Sequence, residues 1–146
     1  MTKPDPESMT GLELLRHGLD EDRPSVRRLI GMRFDELEFG RVVMSVEASA
    51  DMANPLGTVH GGITATLLDS VMGGAVHTTL PAGMSYTTLS ITVNYTRGAQ
   101  TDGRRIIGTG TVVHAGRRTA TAEGRVVDEN GKLIAHGTTT CLILGG

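Results

Sequence analysis

The sequence predicts an α+β domain in which a curved antiparallel sheet wraps one long central helix. Three observations carry that reading. Residues Gly61 to about Thr79 place Ile63, Leu67, Leu68, Val71, Met72, Ala75 and Val76 around most of a helix circumference, as a helix enclosed by other structure requires. Leu89, Ile91, Val93 and Tyr95 alternate with Ser90, Thr92 and Asn94, the period of two of a strand. Gly108, Gly110, Gly124 and Gly137 fall inside later β runs, where they weaken a sheet unless a helix lies very close against it.

Along the chain, residues 1–9 carry Pro4, Pro6 and mixed charge and read as a loose tail. Thr10 stands three residues before Glu13, a capping-box signal for a short helix reaching about Leu19. Pro24 fits another turn or short helix. Two β-type runs between Leu29 and Ala50 flank Glu38-Phe39-Gly40 and predict a hairpin, the stronger run being Val42 to Val46. Asp51 to Val59, with Pro55 and Gly57, reads as a loop, and Leu80-Pro81-Ala82-Gly83 ends the helix that follows. After the Leu89–Tyr95 strand come Arg105 to His114 and Thr119 to Val127, the latter with Ala120, Ala122, Gly124 and Val126 on one face. An Asn130-Gly131 turn then leads into a last strand from Leu133 to Leu144. The expected organisation is a tail and short helix over residues 1–28 and one domain over 29–146.

At 146 residues the chain is long enough for a substantial core. A formal net charge of −2 and only four aromatic residues, Phe34, Phe39, Tyr86 and Tyr95, argue against a nucleic-acid surface. The pairs Arg27-Arg28, Arg104-Arg105 and Arg117-Arg118 read as solvated surface, although one pair could meet a phosphorylated small ligand. The single cysteine, Cys141, lies in an apolar run and excludes an internal disulfide, which suits a reducing compartment. With no apolar leader at Met1–Asp5 and no run long enough to cross a bilayer, a cytoplasmic protein is expected. His60, His77, His114 and His136 lack metal-ligand spacing, and no phosphate-binding, dinucleotide or nucleophile-elbow motif is present, so neither metal nor cofactor is expected.

What remains is Asn54, His60, Gly61, Gly62 and Asp69. Asp69 is the one acidic residue between Asp51 and Asp102, and it sits in a stretch built for burial. An unpaired charge there costs several kcal/mol, so it is retained for pairing or chemistry, unless it is a helix carboxylate whose side chain reaches solvent or a cap. Two glycines at a helix entry leave backbone N–H groups bare at the positive end of the helix dipole, where they can hold a developing oxyanion. They also simply permit a tight turn. Gly61 and Asp69 are eight residues apart, roughly 12 Å along a helix axis. One chain therefore cannot bring both to one reacting carbonyl, whereas two antiparallel copies about a two-fold axis can.

These residues resemble the hotdog-fold acyl-CoA thioesterases, in particular the PaaI-like branch. The resemblance runs from about Leu29 to Leu144. It rests on Asn54-Pro55-Leu56-Gly57-Thr58-Val59-His60-Gly61-Gly62, on Leu67-Leu68-Asp69, on Gly116-Arg117-Arg118-Thr119-Ala120 and on the closing Asp128 to Thr140 hairpin. Leu68 departs from relatives, which often carry Ala there. The resemblance implies a hotdog fold, a dimer at minimum and often a homotetramer, and hydrolysis of an acyl-CoA to free acid and CoA. It implies that the Gly61 N–H polarises the thioester carbonyl, that Asn54 and His60 orient the substrate, and that Asp69 of the neighbouring subunit is base or nucleophile. It aligns Thr88, or Thr87 if the loop length differs, with a hydroxyl that holds the attacking water. It makes Arg117 and Arg118, with Arg97 behind them, candidates for contacts to CoA. A hotdog hydratase or dehydratase, and a non-catalytic acyl-CoA-binding dimer, are the competing expectations.

Overall fold

The computed structural model describes residues 4–18 and 23–145. Its elements follow from local chemistry. Thr10 and Glu13 form a reciprocal capping box that starts helix α1, Gly11–Arg16; the expected end near Leu19 lies outside the described residues. Ser25 caps α2, Val26–Ile30, which stops at Gly31 in the left-handed conformation. Leu29 and Ile30 are thus the last turn of a helix and not the start of a strand, because the Ser25 cap and the Gly31 stop outweigh their β propensity. The hairpin follows as β1, Arg33–Glu38, and β2, Arg41–Glu47. A short 3-10 turn, Ala50–Met52, opens the loop to the long helix α3, Gly61–Thr78. Then come β3, Met84–Tyr95, β4, Arg105–Ala115, β5, Thr119–Val127, and β6, Leu133–Gly145. β3 begins five residues before its clean alternation does, since Met84 to Thr88 pair with β6 from Gly145 to Cys141.

Among the described residues six strands form one antiparallel sheet in the order β1-β2-β4-β5-β6-β3. The hairpin and the four-strand meander join through β2 and β4, leaving β1 and β3 as the edges. The sheet curls around α3, whose Leu67, Leu68, Val71, Met72, Ala75 and Val76 have no exposed surface. Each of these side chains larger than alanine contributes about 1.5–3 kcal/mol of burial. The interior glycines allow this proximity at three of the four expected positions. A Cβ on Gly110 would lie 2.1 Å from the Val71 carbonyl oxygen, so helix and sheet touch backbone to backbone there; Gly124 and Gly108 meet Met72 and Leu67 side chains. Gly137 differs. Its missing Cβ makes room for the Thr92 carbonyl of the adjacent strand.

The N-terminal segment packs more firmly than a loose tail. Met9 is buried, and the Gly11 N–H donates to the Leu80 carbonyl at 2.9 Å, which seats α1 on the C-terminal end of α3. The helix is not enclosed all round either. Gly62 is exposed and Ala65, Thr66 and Asp69 are half-buried along one stripe, because the sheet curls around only part of the circumference. No helix among the described residues is long and apolar enough to cross a membrane.

Candidate functional site

Asn54 builds the approach to α3. Its side-chain oxygen accepts from the Leu56 and Thr58 N–H groups at 2.9 and 3.2 Å, and its amide donates to Thr58 Oγ1 at 2.9 Å. This closes a turn in which Gly57 takes a φ of +87°. The returning chain is braced on both sides: the Val59 N–H donates to the Ala99 carbonyl and the His60 N–H to the Met52 carbonyl. His60 therefore enters the helix at a set angle.

His60 is the N-cap residue. Its Nδ1 accepts from the Gly62 N–H at 2.8 Å, which leaves the proton of the neutral ring on Nε2, the nitrogen that faces outward. The Gly62 amide is consequently not bare, contrary to what two adjacent glycines suggest. The Gly61 N–H meets no acceptor among the described residues, so one free donor stands at the helix start. The Gly61 carbonyl is anchored from β3, where the Tyr95 hydroxyl donates to it at 2.5 Å. Tyr95 was legible in the sequence only as a strand residue; nothing local marks it as the tether of the helix entrance. An open cleft of about 550 Å³ at this end is lined by Asn54, Gly61, Gly62, Tyr95 and Arg97 among others.

Two turns along the helix, Asp69 is half-buried on the open stripe, not the deeply buried carboxylate its apolar neighbours imply. The Thr88 hydroxyl donates to Asp69 Oδ1 at 3.0 Å. Thr88 faces the helix while Thr87 is exposed, so the pleat of β3 decides between the two threonines. Cys141, opposite Thr88 in the β3–β6 register, has no exposed surface, and burial pushes its thiol up. That is the behaviour of a small core side chain rather than a nucleophile. The phenol pKa of Tyr86, on the same face as Thr88, is pushed up to about 12 by burial and by the Asp69 carboxylate.

The three arginines separate. Arg97 lines the cleft at the Gly61 end, its guanidinium 3.9 Å from Asp128. It also borders a second hollow of about 240 Å³ shared with Arg104, Arg105 and Lys132. Arg105 is committed to the sheet through Ser45 Oγ and the Ser45 carbonyl, both at 3.0 Å. Arg117 and Arg118 lie in the β4–β5 turn, with Arg117 beside Thr79 and Leu80 at the opposite end of α3. Among the described residues no three His, Cys, Asp or Glu side chains come together as metal ligands.

Within one chain the donor amide and the carboxylate are thus held apart by two turns of rigid helix, roughly 12 Å. Known proteins resemble this chain in sequence and fold. The Thioesterase superfamily profile matches residues 56–135. Acyl-coenzyme A thioesterase 13 of Mus musculus is 31% identical over 101 residues, 68% of this chain and 71% of that protein. A variant of the phenylacetic acid degradation protein PaaI from Thermus thermophilus is 34% identical with a TM-score of 0.73, covering 80% of this chain and 96% of that one. The E. coli PaaI protein from the phenylacetic acid degradation operon reaches a TM-score of 0.84 over 93% of this chain and 95% of its own, at 20% identity, and so speaks to the hotdog fold alone.

Proposed function

This chain belongs to the thioesterase superfamily, and from that membership we propose that a pair of its copies hydrolyses an acyl-CoA thioester to free acid and CoA. The observation that carries the reading is the separation just described: a free Gly61 amide and an Asp69–Thr88 pair on one helix, too far apart to act together without a second copy.

Pairing has a natural surface. β3 is a twelve-residue edge strand, and Leu89, Ile91 and Tyr95 are exposed along it. A long apolar edge is prone to pair with another strand. Two β3 edges meeting about a two-fold axis would also bring together the open stripes of α3, where Gly62, Ala65 and Thr66 are small enough for close approach. Each Gly61 would then face the partner's Asp69. This requires a homodimer; stacking of dimers into a homotetramer is compatible with it.

In the proposed reaction the thioester carbonyl oxygen accepts from the Gly61 N–H at the positive end of α3. The Thr88 hydroxyl, which donates a hydrogen bond to Asp69 and keeps its proton, presents a lone pair that accepts from water, and that water's other proton points to the Asp69 carboxylate. Asp69 takes that proton as the water oxygen bonds to the carbonyl carbon. The resulting oxyanion stays on the Gly61 amide. Its collapse breaks the C–S bond, and the proton held by Asp69 leaves on the CoA sulfur. The outward Nε2–H of His60 is placed to steady that sulfur. Asn54 acts by shaping the turn that aims Gly61, and Arg97 is our candidate for the CoA phosphates because it lines the cleft; Arg117 and Arg118 would have to act from the other end of the chain.

The test is complementation. Gly61→Pro removes the amide donor at the first helical position, which suits proline, and the extended His60 backbone accepts a following proline. The added Cβ comes within 3.2 Å of the exposed Tyr95 ring, which must shift slightly to make room. Asp69→Asn removes the base. Each variant alone should release little thiol from acyl-CoA. Refolded together in equal amounts, half the pairs are mixed and each has one intact site of two, so about a quarter of wild-type activity should return. No recovery on mixing, with both variants folded and dimeric, would overturn the shared site.

A further inference from the structure

Beyond the Asp69–Thr88 pair, α3 and β3 continue side by side towards the helix C-terminus. Gly73 follows Asp69 by one turn on the same stripe and His77 follows by another. Tyr86, two residues before Thr88, shares its face of β3. A Cβ on Gly73 would lie 2.8 Å from Tyr86 Oη and 3.0 Å from Cε2, so the phenol ring rests on bare helix. The Tyr86 and His77 rings are 5.5 Å apart and tilted by 55°. Behind His77 the way is closed by α1, since a Cβ on Gly11 would strike the His77 carbonyl. The Tyr86 hydroxyl has no hydrogen-bond partner among the described residues, yet it is not sealed off as a buried orphan.

We propose that Tyr86 is a specificity-determining residue that ends the acyl site beginning at Asp69 and limits it to short or single-ring acyl groups. The inference rests on the thioesterase reading above. In the antiparallel pair the partner's α3 covers Gly62 to Thr66, and its N-terminus stops opposite Asp69. The uncovered stretch next to the carboxylate is therefore the one running to Gly73. Tyr86 closes that stretch one turn on, about 6 Å along the helix, roughly the length of one aromatic ring. The missing Cβ of Gly73 is what lets the Tyr86 ring lie against the helix and close the stretch there, and the phenol supplies both an apolar wall and, at its tip, an unused donor. A phenol is neutral at neutral pH, and burial pushes Tyr86 further in that direction, so the wall carries no charge.

The experiment is kcat/KM by thiol release for straight-chain substrates from acetyl-CoA to palmitoyl-CoA, plus phenylacetyl-CoA, in wild type, Tyr86→Phe and Tyr86→Ala. The wild type should lose activity steeply past short chains. Tyr86→Ala should raise the ratio of long-chain to short-chain kcat/KM by about tenfold or more, the scale of a few methylenes gained in a pocket. Tyr86→Phe should keep the wild-type limit, because the ring and not the hydroxyl forms the wall. Tyr86→Leu, which retains more buried volume, takes the place of the alanine variant if that variant does not fold. If the wild type releases thiol from no acyl-CoA, the functional reading falls with everything built on it. If the wild type is active but removing the ring leaves the length ratio within about twofold, or if Tyr86→Phe alone removes the limit, only the Tyr86 assignment falls.

Discussion

Thr88 on β3 donates its hydroxyl proton to Asp69 on α3 at 3.0 Å, a single hydrogen bond joining the edge strand to the central helix at the one carboxylate of that helix. It places a donor and an acceptor side by side on a surface that a second copy would cover. Removing the carboxylate is the sharper perturbation. Asp69→Asn keeps shape and hydrogen bonding but cannot take a proton, so kcat should fall by about a hundredfold or more while the urea midpoint stays near wild type. Full turnover by the variant would remove Asp69 from the reaction.

Thr88 is expected to act through water and not through bond making. Thr88→Ala should lower kcat by about tenfold, the worth of one hydrogen bond to a charged group, and Thr88→Ser should restore it. Hydrolysis in heavy-oxygen water under single turnover extends the test. With Asp69 as base, the label goes to the acid product; label recovered in the protein at Asp69 would instead make the carboxylate the nucleophile.

His60 combines a capping role with its place near the sulfur, and two substitutions separate them. His60→Asn can still accept from the Gly62 N–H, whereas His60→Ala cannot, so only the alanine variant should lose about 0.5–2 kcal/mol of stability. Both lack the outward Nε2–H, and both should lose activity if that group steadies the leaving thiolate. Activity that tracks stability alone would reduce His60 to a cap.

The closeness of helix and sheet predicts an order among glycine substitutions. At Gly110 an added Cβ meets Val71 backbone at 2.1 Å, which cannot move without displacing α3. At Gly124 it meets the flexible Met72 side chain at 2.8 Å. Gly110→Ala should therefore cost about 3 kcal/mol or more and Gly124→Ala about 1–2 kcal/mol, read from urea denaturation. Equal costs would show that the helix can shift.

His77 predicts a pH effect on stability. Burial lowers its pKa below the ordinary 6.5, so the unfolded chain takes up a proton before the folded one does. Stability should therefore fall as pH drops through that ordinary value and level off only below the lowered folded value. His77→Gln should flatten this part of the profile, measured as the urea midpoint between about pH 7 and about pH 5. An unchanged slope would assign the effect to other groups.

Much of the architecture was legible because it is written in local periods. The apolar circumference of residues 61–78, the alternation ending at Tyr95 and the Asn130-Gly131 turn each depend on near neighbours in sequence. Even the glycines at 108, 110 and 124 carried long-range information, because a strand tolerates them only where something must come close. Leu29 and Ile30 misled for the complementary reason: their β propensity is weak beside a serine cap and a left-handed glycine.

What the sequence alone determined was the inventory: a carboxylate within an apolar helix, a glycine pair at its start, and their separation of two turns. Tertiary structure decided which groups are available. The pleat of β3 turned Thr88 inward and Thr87 outward, the His60 ring consumed the Gly62 amide and left that of Gly61, and the curl of the sheet exposed one stripe of the helix. Those outcomes depend on which partners arrive from distant parts of the chain. A hydrogen bond is set by the position and direction of both its ends, and residue order specifies only one end at a time.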